Sequence, residues 1–231
     1  MKALVIAAGE GTRLWPLTTV LPKAFLPVGG RPVSRYIVER LARQGFKEIV
    51  FCINKHFETQ FKDYFEDGSR FGVNIEYSSS EVPMGTAGEI VNAKKFIDGP
   101  FIMHYGDELT FVNLRELADM HLKRKAIATL ALVTGIPIEV GVVALNSDDT
   151  VKGFIEKPPL DKYTWAGIAA MDEEILNFMK KDEDLASVVF PRLIKSGKKI
   201  LAYKSDARWL DIGSISHWKI ADKLAAEGSL K

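Results

Sequence analysis

The residues best suited to chemistry fall in two kinds of place: a glycine-rich turn with cations nearby, and two aspartates far apart in the chain. Ala8-Gly9-Glu10-Gly11-Thr12-Arg13 follows directly on the short apolar run Ala3 to Ala7. Glycines at such a turn let backbone N–H groups approach an anion with no Cβ in the way. Arg13 adds a guanidinium that can grip several phosphate oxygens, and Lys23, within Leu21-Pro22-Lys23-Ala24-Phe25, adds a compact point charge. Taken singly, an Arg or Lys in a loop is a solvated cation. Its place beyond a glycine turn at the end of an apolar strand is what sets this pair apart. Two familiar phosphate motifs do not fit. The dinucleotide fingerprint needs a third glycine where Leu14 stands and a helix that Pro16 obstructs, and the P-loop pattern is missing altogether.

The aspartates each close an apolar segment. Asp107 ends Phe101-Ile102-Met103-His104-Tyr105-Gly106-Asp107, and Asp211 lies in Trp209-Leu210-Asp211-Ile212-Gly213-Ser214. Two carboxylates from distant positions can share one Mg²⁺, which takes a few carboxylates together with water and phosphate oxygens. Both residues equally suit a turn or a helix cap, and Asp211 precedes a helical pattern. Gly85-Thr86-Ala87-Gly88 offers backbone and small side chains to a flat ring, and also reads as a helix start capped by Thr86. Glu156-Lys157-Pro158 reads as a strand end before a Pro-Pro turn. The histidines at 56, 104, 121 and 217 show no zinc-ligand spacing, and none is given a catalytic role.

Composition limits the partners. The 231 residues carry a formal net charge of +1, so no bulk field recruits nucleic acid or an anionic membrane. Phosphate chemistry must then rest on a few local cations. Cys52 is the single cysteine, which excludes an intrachain disulfide and a thiolate metal cluster. Its apolar neighbours make it a small core residue of a strand. No apolar stretch approaches the roughly 20 residues needed to cross a bilayer, and the apolar start is too short for a secretion signal. A cytoplasmic protein is expected.

The elements that must position these residues alternate in the first half. Ala3 to Ala7 reads as a strand buried on both faces. Val33, Ile37, Val38 and Leu41 recur at helical spacing until Gly45. Strands at Glu48 to Ile53, Val73 to Tyr77 and Phe101 to His104 then alternate with helices at His56 to Phe65, Thr86 to Phe96 and Leu114 to Lys123. This order implies right-handed crossovers and a mostly parallel sheet with helices on both faces. After Ala126, strand-like runs predominate at Ile127 to Val133, Val140 to Leu145, Val151 to Ile155 and Ala166 to Met171. Helical patterns return at Glu173 to Met179, Val188 to Ile194 and Ile215 to Ala226. We expect one Rossmann-like α/β domain over residues 1–231, its second half adding antiparallel strands over the carboxyl edge of the sheet, where such sheets bind ligands.

The run Gly-Glu-Gly-Thr-Arg-Leu-Trp-Pro-Leu-Thr from Gly9, followed by Pro-Lys-Ala and Gly-Gly-Arg-Pro, resembles the sugar-phosphate nucleotidyltransferases. The likeness extends from residue 3 to about 218, through Gly106-Asp107, Glu156-Lys157-Pro158 and Trp209-Leu210-Asp211-Ile212-Gly213. It implies an enzyme joining a nucleoside triphosphate to a sugar 1-phosphate, with Mg²⁺ as cofactor. By resemblance, residues 1–125 form the nucleotide-binding half, with Ala8, Gly9, Gly11 and Thr12 around the triphosphate. Arg13 holds the leaving pyrophosphate and Lys23 the attacked phosphate. Gly85 and Thr86 place the base, and Asp107 and Asp211 bind the metal. Residues 126–231 form the sugar-phosphate half, with Gly141, Glu156, Lys157 and Gly167, Lys157 doubling as a catalytic cation.

Some positions depart from the family pattern. Thymidylyl- and uridylyltransferases carry a base-reading Gln before the Gly85-like glycine, but this chain has Ser80-Glu81-Val82-Pro83-Met84. Glu81 is a candidate acceptor for guanine, and Gly-Thr-Ala-Gly is most like the guanylyltransferases. A mannose 1-phosphate guanylyltransferase is therefore expected, with a glucose 1-phosphate thymidylyl- or uridylyltransferase as the alternative. Val140-Gly141 and Trp165-Ala166-Gly167 replace the Tyr-Gly and Asn-Ala-Gly of many relatives, which leaves the sugar open. A non-catalytic regulatory subunit would lose some of these charged residues, and all are present. No C-terminal β-helix domain is expected, and the oligomeric state, a homo-oligomer included, stays open.

Overall fold

The computed structural model describes residues 1–230. In chain order the strands and α-helices are β1 (Lys2–Ala7), β2 (Pro27–Val28), β3 (Arg31–Pro32), α1 (Val33–Arg43), β4 (Glu48–Asn54), α2 (Glu58–Phe65), β5 (Asn74–Ser80), α3 (Gly85–Asn92), β6 (Phe101–Tyr105), β7 (Glu108–Thr110), α4 (Leu114–Arg124), β8 (Ala128–Val133), β9 (Val142–Leu145), β10 (Val151–Ile155), β11 (Thr164–Met171), α5 (Phe190–Lys195), β12 (Ile200–Lys204), β13 (Trp209–Asp211) and α6 (Ile215–Ala226).

Seven strands form one sheet in the order β12-β8-β11-β6-β1-β4-β5. β1 lies near its centre, parallel to both β4 and β6, and its apolar run is buried on both faces as expected. Ala3 and Val5 pack into one core and Leu4 and Ile6 into the other, the two-residue period of a strand covered on both sides. Residues of α1, α2, α4 and α6 fill the first core, and those of α3 and α5 the second. The helices therefore cover both faces, giving the mostly parallel α/β sheet that the alternation of elements implies.

The second half differs from expectation in where its strands go. Instead of lying over the carboxyl edge, β8, β11 and β12 extend the main sheet, and β11 alone runs against the others. β11 can sit there because Ala166, Ile168, Ala169, Ala170 and Met171 are all buried, the run of an interior strand. β9 and β10 form a separate antiparallel ribbon in which every residue is exposed, and β13 pairs with β7 outside the main sheet. β12 lies at the sheet edge, parallel to β8. The segment Glu173 to Met179, read as helical, is 3-10 over Glu173–Phe178, and the helix expected over Val188 to Ile194 begins earlier, as a π-helical turn at Leu185–Val189 that continues into α5.

Candidate functional site

The carboxyl end of β1 opens into the glycine turn. Gly11 adopts φ 64°, and a Cβ there would press on Thr18, so this position needs glycine. Thr18 fixes the turn by donating from Oγ1 to the Gly11 carbonyl at 2.9 Å, and Leu14 N–H donates to the same carbonyl at 2.9 Å. A single 3-10 turn, Thr12–Leu14, follows in place of the α-helix that a dinucleotide site would require. Gly9 is exposed with open space where its Cβ would be, so its backbone is free to meet a ligand. Arg13 projects its largely exposed side chain from this turn.

Lys23 is fixed by its neighbours. It starts a 3-10 turn, Lys23–Phe25, in which Phe25 packs edge-on against Phe61 and Tyr64 at 4.7 and 5.4 Å. That anchor sends the Lys23 ammonium, with only 12% of its side chain exposed, towards the two aspartates. It donates to Oδ2 of Asp107 and lies 3.4 Å from Oδ1 of Asp211. Arg13 approaches Asp211 from the other side, Nη2 to Oδ2 at 3.8 Å.

Backbone geometry explains the meeting of the aspartates. Gly106 has no room for a Cβ against Ala7, and its N–H donates to the Ile6 carbonyl at 2.8 Å. Asp107 is thereby held at the carboxyl ends of β1 and β6. A short antiparallel ladder then sets Asp211 opposite Glu108 and Trp209 opposite Thr110. The Ile212 N–H closes it on the Asp107 carbonyl at 3.0 Å. Ser214, not Asp211, caps α6, its Oγ accepting from His217 N–H at 3.2 Å. The carboxylate of Asp211 is thus left for the cleft.

Beneath them, Glu108 is buried, and burial followed by the charge of Asp107 pushes its carboxyl well above the carboxylate range. Trp209 Nε1 donates to it at 3.3 Å. Gly167, at φ 62°, lies so close that any Cβ would overlap the Glu108 carboxyl. Gly167 therefore supports the floor below the aspartates, a role its sequence context did not signal.

The glycine turn, Lys23, Asp107 and Asp211 form one side of a cleft of about 420 Å³. Pro83, Met84, Gly85, Thr86 and Glu89 form the other. Gly85, at φ 66°, has no room for a Cβ against the Glu183 carbonyl. Thr86 ties α3 to the turn before α5, its Oγ1 donating to Asp184 at 2.9 Å and accepting from Leu185 N–H at 2.8 Å. Glu89 in the wall was not foreseen. Glu81 is exposed in the bend after β5 and does not line the cleft. Gly141, Glu156 and Lys157 lie about the β9–β10 ribbon, also away from the cleft lining. There Gly141 packs on Phe154 and Glu156. Lys157 donates to Glu139 at 3.1 Å, and Glu139 lies 3.7 Å from Nε2 of His217.

Arg13 and Lys23 meet Asp107 and Asp211 in one cleft, and the family model described as nucleotidyl transferase matches residues 2–227. The chain belongs to that family. A mannose-1-phosphate guanylyltransferase of Mycobacterium tuberculosis is 34% identical across 93% of the chain, and a UTP–glucose-1-phosphate uridylyltransferase of Synechocystis is 31% identical across 95%. The chain spans only 61% and 62% of the length of these two relatives. The fold also matches HddC of Yersinia pseudotuberculosis complexed with GMP-PN, with a TM-score of 0.75 at 20% identity, covering 96% of this chain and 98% of that one.

Proposed function

We propose that this chain transfers a nucleotidyl group from a nucleoside triphosphate to a sugar 1-phosphate and releases pyrophosphate. The observation that carries this reading is the convergence of Arg13, Lys23, Asp107 and Asp211 on one cleft beside a glycine turn. An anionic sugar-phosphate oxygen attacks the α-phosphorus. The bond to the β-phosphate oxygen breaks, and its electron pair leaves with pyrophosphate, so no general base is needed. Catalysis is then positioning and charge neutralisation. Arg13 holds the departing pyrophosphate, Lys23 steadies the attacked phosphate, and backbone N–H groups of Gly9 to Thr12 orient the triphosphate. Residues 126–231 contribute the sugar side, with Lys157 on the sugar phosphate and Glu156 on hydroxyls.

The donor set suits Mg²⁺. Asp107 and Asp211 share one ammonium between them, and among the described residues no cluster of three or more His, Cys, Asp or Glu forms a metal cage. Mg²⁺ favours such a site, taking its remaining oxygens from water and phosphate. When bound it would supply charge neutralisation at the phosphates. GTP and mannose 1-phosphate are the favoured pair, supported by the guanylyltransferase relative and the Gly85-Thr86-Ala87-Gly88 turn. The uridylyltransferase relative supports UTP with glucose 1-phosphate as the second reading.

A screen of pyrophosphate release, pairing common nucleoside triphosphates with a panel of sugar 1-phosphates, tests this directly. We expect Mg²⁺-dependent release, and loss of it in folded Asp107→Asn and Asp211→Asn variants. No release with any pair, or near-normal rates in both variants, would refute the assignment.

A further inference from the structure

Glu89, in the cleft wall, is left unused by this mechanism. Glu89 lies in the middle of α3 and is only 3% exposed. Its side chain runs back towards the start of the helix, as helical side chains do. There Oε1 accepts from Ser80 Oγ at 2.9 Å and from Met84 N–H at 3.3 Å. Oε2 has no partner and no contact with solvent. Buried polar atoms are almost always paired, so an orphan oxygen calls for an explanation. It is the one such side-chain atom among the described residues that belongs to a cleft-lining residue. Thr86 is not an alternative, because its hydroxyl is already committed to Asp184 and Leu185.

Burial raises the Glu89 carboxyl above its ordinary value, and the hydrogen bonds donated by Ser80 and Met84 pull it back towards the ionised, acceptor-only form. Among the described residues no Lys or Arg is paired with it. A ligand that supplied N–H donors would satisfy this oxygen, provided that the carboxyl turns Oε2 towards the cleft that Glu89 lines. A base seated against Met84 and Gly85, which line the cleft beside Glu89, would bring its edge to this wall.

We propose that Oε2 of Glu89 reads the nucleobase and selects guanine, which makes Glu89 a specificity-determining residue. This rests on the reading of the cleft as a nucleoside triphosphate site. The four bases differ in what they offer an acceptor-only group. Guanine presents N1–H and its 2-amino group side by side, two donors with no acceptor between them. Uracil presents one N–H flanked by two carbonyl oxygens, which the carboxylate repels. Adenine and cytosine each set their amino group next to a ring nitrogen that is an acceptor. A buried hydrogen-bonding site rejects a ligand that lacks the matching group more strongly than an apolar pocket rejects a change of size.

The test compares GTP with ITP, which lacks only the 2-amino group, and with UTP, in wild type and in Glu89→Gln and Glu89→Ala. Steady-state kcat/KM is measured from pyrophosphate release at fixed sugar 1-phosphate. We expect wild type to favour GTP over ITP by about tenfold or more, the scale of one lost polar contact to a buried charge. Glu89→Gln should bring that ratio to within about twofold while activity with ITP persists. A role confined to holding Ser80 and Met84 would lower kcat/KM for every triphosphate by the same factor and leave the ratio intact. That result would overturn the proposal, as would a wild type that uses ITP as well as GTP. Should the variants fail to fold, fluorescence titration of wild type with GDP and IDP decides by itself, and equal affinities overturn the proposal. Release with no triphosphate would instead sink the reading of the cleft.

Discussion

Removing the positive charge of Lys23 while keeping its length, as in Lys23→Met, leaves Asp107 and Asp211 facing each other without their shared ammonium. Both carboxylates are about three-quarters buried, and the Lys23 side chain is 12% exposed, so solvent screens the group poorly. At 3.4 Å and an effective dielectric near 20, the Lys23–Asp211 attraction is about 5 kcal/mol before desolvation is counted. Breaking a buried pair by removing one partner costs a net ~3–5 kcal/mol. Against a total stability of about 5–15 kcal/mol, that is a large loss. Mg²⁺ should offset it, because the ion takes over the charge that Lys23 supplied. Bound at a hundredfold excess over its Kd, a ligand contributes about 2.7 kcal/mol. Urea unfolding in EDTA and in excess MgCl₂ reads both effects. The variant should unfold at lower urea in EDTA and gain more from Mg²⁺ than wild type, where Lys23 competes for the same oxygens. A variant as stable as wild type in EDTA, or a Mg²⁺ response absent from both proteins, would refute the reasoning.

Arg13→Ala should lower kcat, whereas Lys157→Ala should raise KM for the sugar phosphate, each by about 10- to 150-fold, the worth of one charge-assisted contact. Interchanged kinetic signatures would show that the two roles are assigned the wrong way round. His104 is buried in β6 with Nδ1 donating to the Tyr105 carbonyl at 2.6 Å, and burial lowers its pKa to about 4 from an ordinary 6.5. Its folded-state pKa is depressed, so the stability it contributes is present above about pH 6.5 and lost as the pH falls through 4, at most roughly 3 kcal/mol. His104→Gln should flatten this acid slope in urea titrations at pH 7 and pH 4, and an unchanged slope would exclude His104 as its source. Gly167→Ala should lower the melting temperature, since a left-handed backbone costs a non-glycine residue roughly 1–2 kcal/mol and the new methyl overlaps Glu108. Unaltered melting would mean that the floor under the aspartates yields freely.

The parts of this fold that showed in the sequence are those where burial writes a period. Ala3 to Ala7 and Ile49 to Ile53 are continuous apolar runs because both faces of the central sheet are covered. α1 keeps its helical spacing because one face alone is buried. β12 passed unread since an edge strand flanked by Lys199 and Lys204 is only half-buried. β7 and β13 span three residues each, too few to establish any period, yet they bring the aspartates together. The cleft cations were legible from the glycine turn beside them. Glu89 was not, because within Gly88-Glu89-Ile90 it looks like an ordinary solvated charge on a helix. Only the tertiary packing of α3 against β5 turns it inward.

The place of β11 in the sheet also matters for the order in which a ribosome delivers the chain. β8 is synthesised before β11, yet β11 lies between β8 and β6 in the finished sheet. A nascent chain holding residues up to β8 therefore cannot extend its sheet by simple addition, and β6 keeps one open edge until residues 164–171 emerge. Domains begin to organise from their N-terminal side during synthesis. Here the glycine turn, Lys23 and Asp107 are delivered early, while Asp211 arrives only with the late strand β13. Until then Lys23 has one aspartate to satisfy it and the cleft has one wall unfinished, so a partly made chain holds its glycine turn well before it can complete a paired-carboxylate site.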